Sequence, residues 1–241
     1  MEDDILERIK CYWEQRSNDF GRQSLVEMQN EKFTLWTKEL KQIIGERKKL
    51  DILDVGTGSG YMALILASAG HKVTGVDLCD NMIASAIALR DKLGLNANFL
   101  VSDAQILSFA DNSFDVLITR NLTWTLPDLK KAYNEWYRVL KPEGILVNFD
   151  ADFGEKDFSV PQKHNLAKPS LHGDLDSEQI KECNAIKNTL DISSHRRPLW
   201  DADLLIQTGF CKITMDLALG SRINKAQKAR TQGMFGLYAY K

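Results

Sequence analysis

The stretch LDILDVGTGSGYMALILASAG, Leu50 to Gly70, decides how the rest of the chain is read. Leu50 to Val55 is a mainly apolar run, the composition of a buried parallel strand. Gly56, Gly58 and Gly60 follow, and Gly60 to Ala69 reads as a helix. Glycine permits positive φ and lets a ligand approach the backbone with no Cβ in the way. In an open α/β sheet the loop after the first strand is the first place to look for a ligand. Two common occupants are excluded by spacing. A Walker loop ends in Gly-Lys-Ser/Thr, whereas Tyr61 and Met62 follow Gly60. A dinucleotide loop, G-x-G-x-x-G, needs glycine or alanine where Tyr61 stands. The pattern is G-x-G-x-G with Asp54 in front.

Upstream, Ile5, Ile9, Tyr12 and Trp13 recur at helical spacing, as do Phe33, Trp36, Leu40 and Ile43, predicting two helices in an N-terminal cap over 1–49. Downstream, strand and helix alternate. Lys72–Asp77, Ala97–Val101 and Ser113–Thr119 read as strands, with an amphipathic helix at Asn81–Leu93. A helix begun by Pro127 stops before Pro142, Pro142–Gly144 is a turn, and Ile145–Asp150 is the next strand. Parallel strands need helical crossovers, so the alternation predicts a doubly wound, mostly parallel α/β sheet.

After Asp150 the rhythm breaks. Ala151–His195 is polar and irregular, with one helical piece capped by Asp176 or Ser177 and carrying Ile180, Cys183, Lys187 and Leu190. An insertion this long at a strand end is expected to act as a lid within a single domain spanning 1–241. The regular pattern resumes with a helix, Trp200–Thr208, ended by Gly209. Cys211, Ile213, Met215, Leu217 and Leu219 then alternate as a strand does, and Met234–Tyr240 is the seventh strand. Between them Arg222, Lys225, Lys228 and Arg230 form a basic linker, read as a solvated segment.

Charge limits the partners. With 31 basic against 33 acidic residues the net charge is −2, and no long basic stripe offers a track for nucleic-acid phosphates. No secretory signal or membrane-length apolar run is visible, so a cytoplasmic location without membrane attachment is expected. Cys11, Cys79, Cys183 and Cys211 make no C-x-x-C pair, and neither a metal site nor a disulfide framework is expected.

Four ordered segments together carry a family resemblance. D-V-G-T-G-S-G at the first strand end, V-T-G-V-D-L with Asp77 ending the second, S-D-A (Ser102–Ala104) after the third and F-D-V-L-I-T-R-N in the fourth resemble the motif series of class I S-adenosylmethionine-dependent methyltransferases. R-V-L-K-P-E-G, Arg138–Gly144, extends the match. The resemblance implies a Rossmann-like methyltransferase fold of seven strands, with the last two as an antiparallel edge. It also implies S-adenosyl-L-methionine as cofactor and S-adenosyl-L-homocysteine as product. By that resemblance Asp54 contacts the methionine amino end, and Gly56, Thr57, Gly58 and Gly60 pass beneath methionine and ribose. Asp77 accepts the ribose hydroxyls, Leu78 and Met82 pack on adenine, Asp103 and Ala104 bind its edge, and Asn121 lies near the reacting methyl.

The expected acceptor is a small molecule. Four side chains are candidates for removing its proton: Tyr12, Asp150, Asp152 and His195, with His164, His172 and Arg16 in reserve. Tyr12, Trp13, Phe20 and Trp124 are candidate walls of its pocket, and Arg196 or Arg197 could pair an acceptor carboxylate. Aminopropyl-type transfer, methylation of nucleic acid or protein, and cofactor binding without catalysis remain alternatives. The sequence does not disclose the acceptor or the oligomeric state.

Overall fold

Helix α1 (Glu2–Glu14), helix α2 (Ser17–Met28) and helix α3 (Glu31–Ile44) lead into strand β1 (Asp51–Val55). The computed structural model describes residues 2–47, 49–160, 176–224 and 233–241. The sequence predicts two helices here, and α2 is the third. Its buried residues are Ser17, Ser24 and Glu27, so the periodicity of apolar residues does not report it. It packs against helix α5 (Asp80–Leu93), where Gly21 brings the two backbones close beside Ser85.

The alternation that follows is as expected, with small changes at the ends. Helix α4 (Tyr61–Ser68), strand β2 (Lys72–Asp77), α5, strand β3 (Asn98–Val101), strand β4 (Phe114–Arg120), helix α6 (Leu129–Val139) and strand β5 (Leu140–Asp150) succeed one another. β5 begins earlier than predicted. It runs through Pro142–Gly144, with a register shift against β4 between Phe114 and Val116 and Glu143 at φ +62°. Helix α7 (Ser177–Thr189) starts at a capping box formed by Asp176 and Gln179. Helix α8 (Leu199–Thr208) ends at Gly209 in the left-handed region, as read. Strand β6 (Lys212–Asp216) is shorter than the alternation suggests. Helix α9 (Leu219–Asn224) begins at the last residue of the expected strand, and Leu217 is left exposed. Strand β7 (Phe235–Tyr240) closes the chain.

The seven strands lie in the order β3-β2-β1-β4-β5-β7-β6, with β7 antiparallel to both neighbours. Alternate residues of each strand serve opposite faces. Ile52, Val116, Ile118, Val147 and Phe149 face α3 and α4, whereas Leu53, Val55, Leu117 and Leu146 face α6 and α8. α7 lies over α1 and buries Cys183 and Ile186. Among the described residues no helix is long and apolar enough to cross a membrane, and no three potential metal ligands gather. Cys79 and Cys183 are buried thiols, and Cys11 and Cys211 are exposed.

At the carboxyl end of β5 the core turns ionic. Arg197, with its side chain 1% exposed, donates Nε to Asp201 Oδ2 (2.9 Å) and Nη2 to Asp201 Oδ1 (2.6 Å). Its Nη1 reaches Asp150 Oδ2 and the Ala151 carbonyl, both at 3.3 Å, and Nη2 reaches Thr123 Oγ1 at 2.5 Å. Thr123 Oγ1 donates a hydrogen bond to Asp150, which also accepts the Trp124 amide at 3.0 Å. Tyr133 donates to Asp201 at 2.9 Å. Arg197 was expected to meet a substrate or a surface acid. It is instead a buried keystone, while Arg196 is exposed. Breaking such a cluster leaves carboxylates buried without a counter-charge, a loss of about 3–5 kcal/mol. Arg197→Met is expected to lower the unfolding free energy by that amount in urea titrations at pH 7. Arg197→Lys, which keeps the charge but not the fork, should fall between it and the parent.

Candidate active site

The loop after β1 is built around a buried acid. Asp54 occupies a core position on the face that Ile52 shares, and accepts from Thr57 Oγ1 (2.6 Å) and the Ala63 amide (3.0 Å). Burial outweighs those bonds and pushes its carboxyl up to about 7. Gly56 adopts φ +66°, and a Cβ there would stand 2.7 Å from Leu122. Gly58, at φ +54°, donates its amide to Asp77 Oδ2 at 2.8 Å, and Asp77 Oδ1 accepts the Cys79 amide at 3.0 Å. Burial raises Asp77 from the usual carboxylate range despite both bonds.

Beyond β3, Asp103 Oδ1 accepts the Gln105 amide at 2.9 Å and the Ala104 carbonyl accepts Trp136 Nε1 at 2.8 Å. Beyond β4, Asn121 holds a left-handed φ of +57°, with its amide on the Phe149 carbonyl at 2.8 Å. Asparagine tolerates that conformation better than most residues. One cavity brings together Asp54, Gly56, Thr57, Gly58, Asp77, Leu78, Met82, Asp103, Ala104 and Asn121. Gly60 is not on its wall. Its φ of +83° starts α4, and a Cβ there would press within 2.9 Å of Phe99.

Arg120, Tyr61 and Ser24 also line the cavity and were not among the expected cofactor contacts. Arg120, at the end of β4, lies over the Tyr61 ring at 4.8 Å and the Trp36 ring at 5.5 Å, with Glu27 3.9 Å away. Burial pushes Glu27 up, but Arg120 and Lys32 outweigh it and hold the carboxyl below its usual value. Tyr61 is 2% exposed and its hydroxyl has no hydrogen-bond partner among the described residues. Ser24 shares a 2.6 Å hydrogen bond with Ser59. Arg120 could have been noticed as the one cation ending a parallel strand beside an acid-ended one. Ser24 lies on α2, which gave no apolar signal.

The opposite wall is aromatic. Trp13 stands edge-on to Phe20 (5.7 Å) and Trp124 (6.1 Å), and Trp124 continues to Phe153 (4.9 Å) and Phe158 (5.8 Å). Trp13, Phe20 and Trp124 thus reach the cavity, whereas Tyr12 lies behind Trp13, 4% exposed and bonded to Arg16. The other proton-removal candidates are not on its wall either. Asp150 is enclosed by Thr123 and Arg197, Asp152 accepts the Gly154 and Arg197 amides (both 3.2 Å), and His195 stacks on Trp200 and bonds Asp191 at 3.0 Å. His164, His172, Lys225, Lys228 and Arg230 lie outside the described residues. Arg222, from the same basic linker, is paired with Glu39 (2.6 Å) and Asp216.

Comparison with known proteins agrees with this geometry. A family model described as a methyltransferase domain matches residues 53–148. A demethylmenaquinone methyltransferase of Thermus thermophilus is 36% identical over 114 residues, covering 46% of this chain and 52% of the relative. A 2-methyl-6-phytyl-1,4-hydroquinone methyltransferase of Synechocystis is 39% identical over 126 residues, covering 52% and 39%. The chain thus spans about half, or less, of the length of these curated relatives. Among solved structures, a phosphoethanolamine N-methyltransferase of Haemonchus contortus bound to S-adenosyl-L-methionine superposes with a TM-score of 0.59 at 22% identity, covering 84% of this chain and 51% of that one. An S-adenosylmethionine-dependent methyltransferase of Methanococcus maripaludis, itself described as putative, gives a TM-score of 0.60 at 17% identity, covering 93% and 91%. Residues 53–148 thus match a methyltransferase-domain model, and the chain has the fold of the S-adenosylmethionine-dependent methyltransferases it superposes on.

Proposed function

We propose that the protein transfers a methyl group from S-adenosylmethionine to a small-molecule acceptor. The observation that carries this reading is the convergence of Asp54, Asp77 and Asp103, from three neighbouring strand ends, on one cavity floored by Gly56 and Gly58. The cavity suits the cofactor in shape, because Gly56 and Gly58 put bare backbone on its wall, and a Cβ on Gly56 would collide with Leu122 at 2.7 Å. It also suits it in charge. Asp54 on one side and Arg120 on the other match the ammonium and carboxylate of an amino acid, with the Tyr61 hydroxyl as a further donor. Asp77 retains lone pairs for a ribose diol, and Leu78 and Met82 offer apolar faces to a purine. Relatives named for methylating demethylmenaquinone and a phytyl hydroquinone support a small organic acceptor.

When bound, the sulfonium supplies an activated methyl with a neutral thioether as leaving group. The protein's own task is then positioning, which is worth about 7–11 kcal/mol when the reacting atoms are aligned. Asn121 and the aromatic wall hold the acceptor on the far side of the glycine loop, and Phe153 and Phe158 cover it against water. Aminopropyl transfer would need acids around an incoming amine, and Asp150 is committed to Arg197.

Calorimetric titration of the protein with S-adenosylhomocysteine should give saturable binding. Asp77→Ala should weaken it by about tenfold or more, since hydrogen bonds to a charged group are lost; no binding to the parent protein would sink the proposal. The pH dependence has a definite sign. Below about pH 7 Asp54 is protonated in the free protein and cannot pair an ammonium, so affinity should fall by roughly tenfold per pH unit below 7. Asp54→Asn should flatten that profile. In the absence of ligand the same raised acid makes the unfolding free energy decline as pH rises from about 4 to about 7. Urea titrations of the parent and Asp54→Asn should differ across that window, the variant showing the smaller decline.

A further inference from the structure

The aromatic wall is backed by cations. Arg16 lies over the Trp13 and Phe20 rings at 5.8 and 5.4 Å, and Lys156 lies over Phe153 and Phe158 at 5.1 and 4.8 Å. Behind them Lys187, 5% exposed, donates Nζ to the Gly154 and Lys156 carbonyls, both at 2.8 Å, and pins the covering segment to α7. Nearby acids are otherwise engaged: Glu14 with the Asn81 amide (3.2 Å), Glu182 with Arg8 (2.9 Å) and Asp152 with two amides. The carboxylates on the cavity wall, Asp54, Asp77 and Asp103, stand at the strand ends across from the rings. Burial lowers the Lys156 ammonium from its usual value, and among the described residues no carboxylate offsets that cost.

A ring attracts a cation through the negative charge on its face. Here the outer faces are already taken by cations, which draw π density outward and leave the inner faces poor hosts for an ammonium. Flat stacking of an electron-rich ring suits them better. A second observation is independent of the first. The proton-removal candidates Tyr12, Asp150, Asp152 and His195 all lie off the cavity wall. His164 and His172 lie outside the described residues, and none of these four is placed to take a proton from an acceptor in the cavity; an acceptor that arrives as an anion needs none.

We infer that the methyl acceptor binds as the anion of a flat, unsaturated molecule, such as a phenolate or an enolate, stacked among Trp13, Phe20, Trp124, Phe153 and Phe158 in front of Arg16 and Lys156. The inference rests on the methyltransferase reading of the same cavity. The step balances without proton transfer. A lone pair of the anion forms the new bond to the methyl carbon, the pair of the breaking carbon–sulfur bond stays on sulfur, and negative and positive charges cancel.

The test uses the full chain saturated with S-adenosylhomocysteine and two shape-matched probes, 2-naphthoate and 2-naphthylmethylammonium, titrated by calorimetry. Naphthoate is expected to bind at least tenfold more tightly. Lys156→Glu should reduce that preference at least fivefold, and Lys156→Arg should preserve it. Lys156 is partly exposed, so these variants should fold, and unchanged S-adenosylhomocysteine affinity provides the control. Equal or tighter binding of the ammonium, no binding of either probe, or a preference unaltered by Lys156→Glu overturns the inference. Loss of S-adenosylhomocysteine binding in the parent protein would overturn the methyltransferase reading itself and this inference with it. Cofactor binding without the charge preference overturns this inference alone.

Discussion

The Arg197 guanidinium, shared by Asp150, Asp201 and Thr123, is the constraint on which the acceptor side of the cavity depends. Each of its partners belongs to a different element: the end of β5, α8 and the turn after β4. That turn carries Trp124, whose amide is fixed by Asp150 and whose indole is fixed by the Asn121 carbonyl (3.0 Å). Trp124 in turn meets Trp13, Phe153 and Phe158. The wall therefore inherits its position from an ion cluster that meets it through the Trp124 amide. Burying these charges is costly, and an apolar substitute of the same volume could be as stable. What the cluster adds is direction, because a planar fork accepts only a narrow range of carboxylate placements.

Two kinds of buried acid divide the strand ends between them. Asp150 has a guanidinium beside it and a full set of donors. Burial raises it, and Arg197 and Thr123 pull in the opposite direction. Asp54 and Asp77 have only amides and a hydroxyl as hydrogen-bond partners, and the pull of Arg120 on Asp54 does not overcome its burial. Their raised values express an electrostatic demand that the protein leaves unmet. A group that carries hydroxyls or an ammonium into the cavity meets that demand, so the cost of folding around these acids is recovered on binding. This is the physical difference between an acid that holds the fold and one that is free to hold a ligand.

The sequence made the sheet legible because β1, β2, β4 and the end of β5 are apolar runs set off by glycine, proline and acids. It made the acidic side of the cavity legible because Asp54, Asp77 and Asp103 lie at or just beyond the ends of three neighbouring strands. Helix α2 escaped notice because its buried face is made of Ser17, Ser24 and Glu27. The length of β6 was overestimated because alternation persisted through Leu217, which the structure leaves exposed at the sheet's edge. Arg197 could not be placed from sequence. A lone arginine after a polar insertion reads as surface, and its partners Asp150 and Thr123 lie on distant segments. Gly60 answers to packing as well as to the motif, since Phe99 and Ala86 leave no room there for a Cβ.

The covering segment after β5 joins closure to selection. Phe153 and Phe158 line the cavity and Lys156, which does not line it, lies over both rings, so under the proposed reading the surface that would shut the site also sets the charge felt inside it. A cation attracted to the rings from within would compete with Lys156 for the same π density, and would loosen the cover. An anion would strengthen it, since the field of Lys156 acts through a ring of low polarity rather than through water. Lys187 holds that geometry through two carbonyls and no carboxylate, so the pinning of the cover adds no negative charge behind the rings. If the acceptor is the inferred anion, closure over it and rejection of an ammonium are a single electrostatic consequence of where one lysine stands.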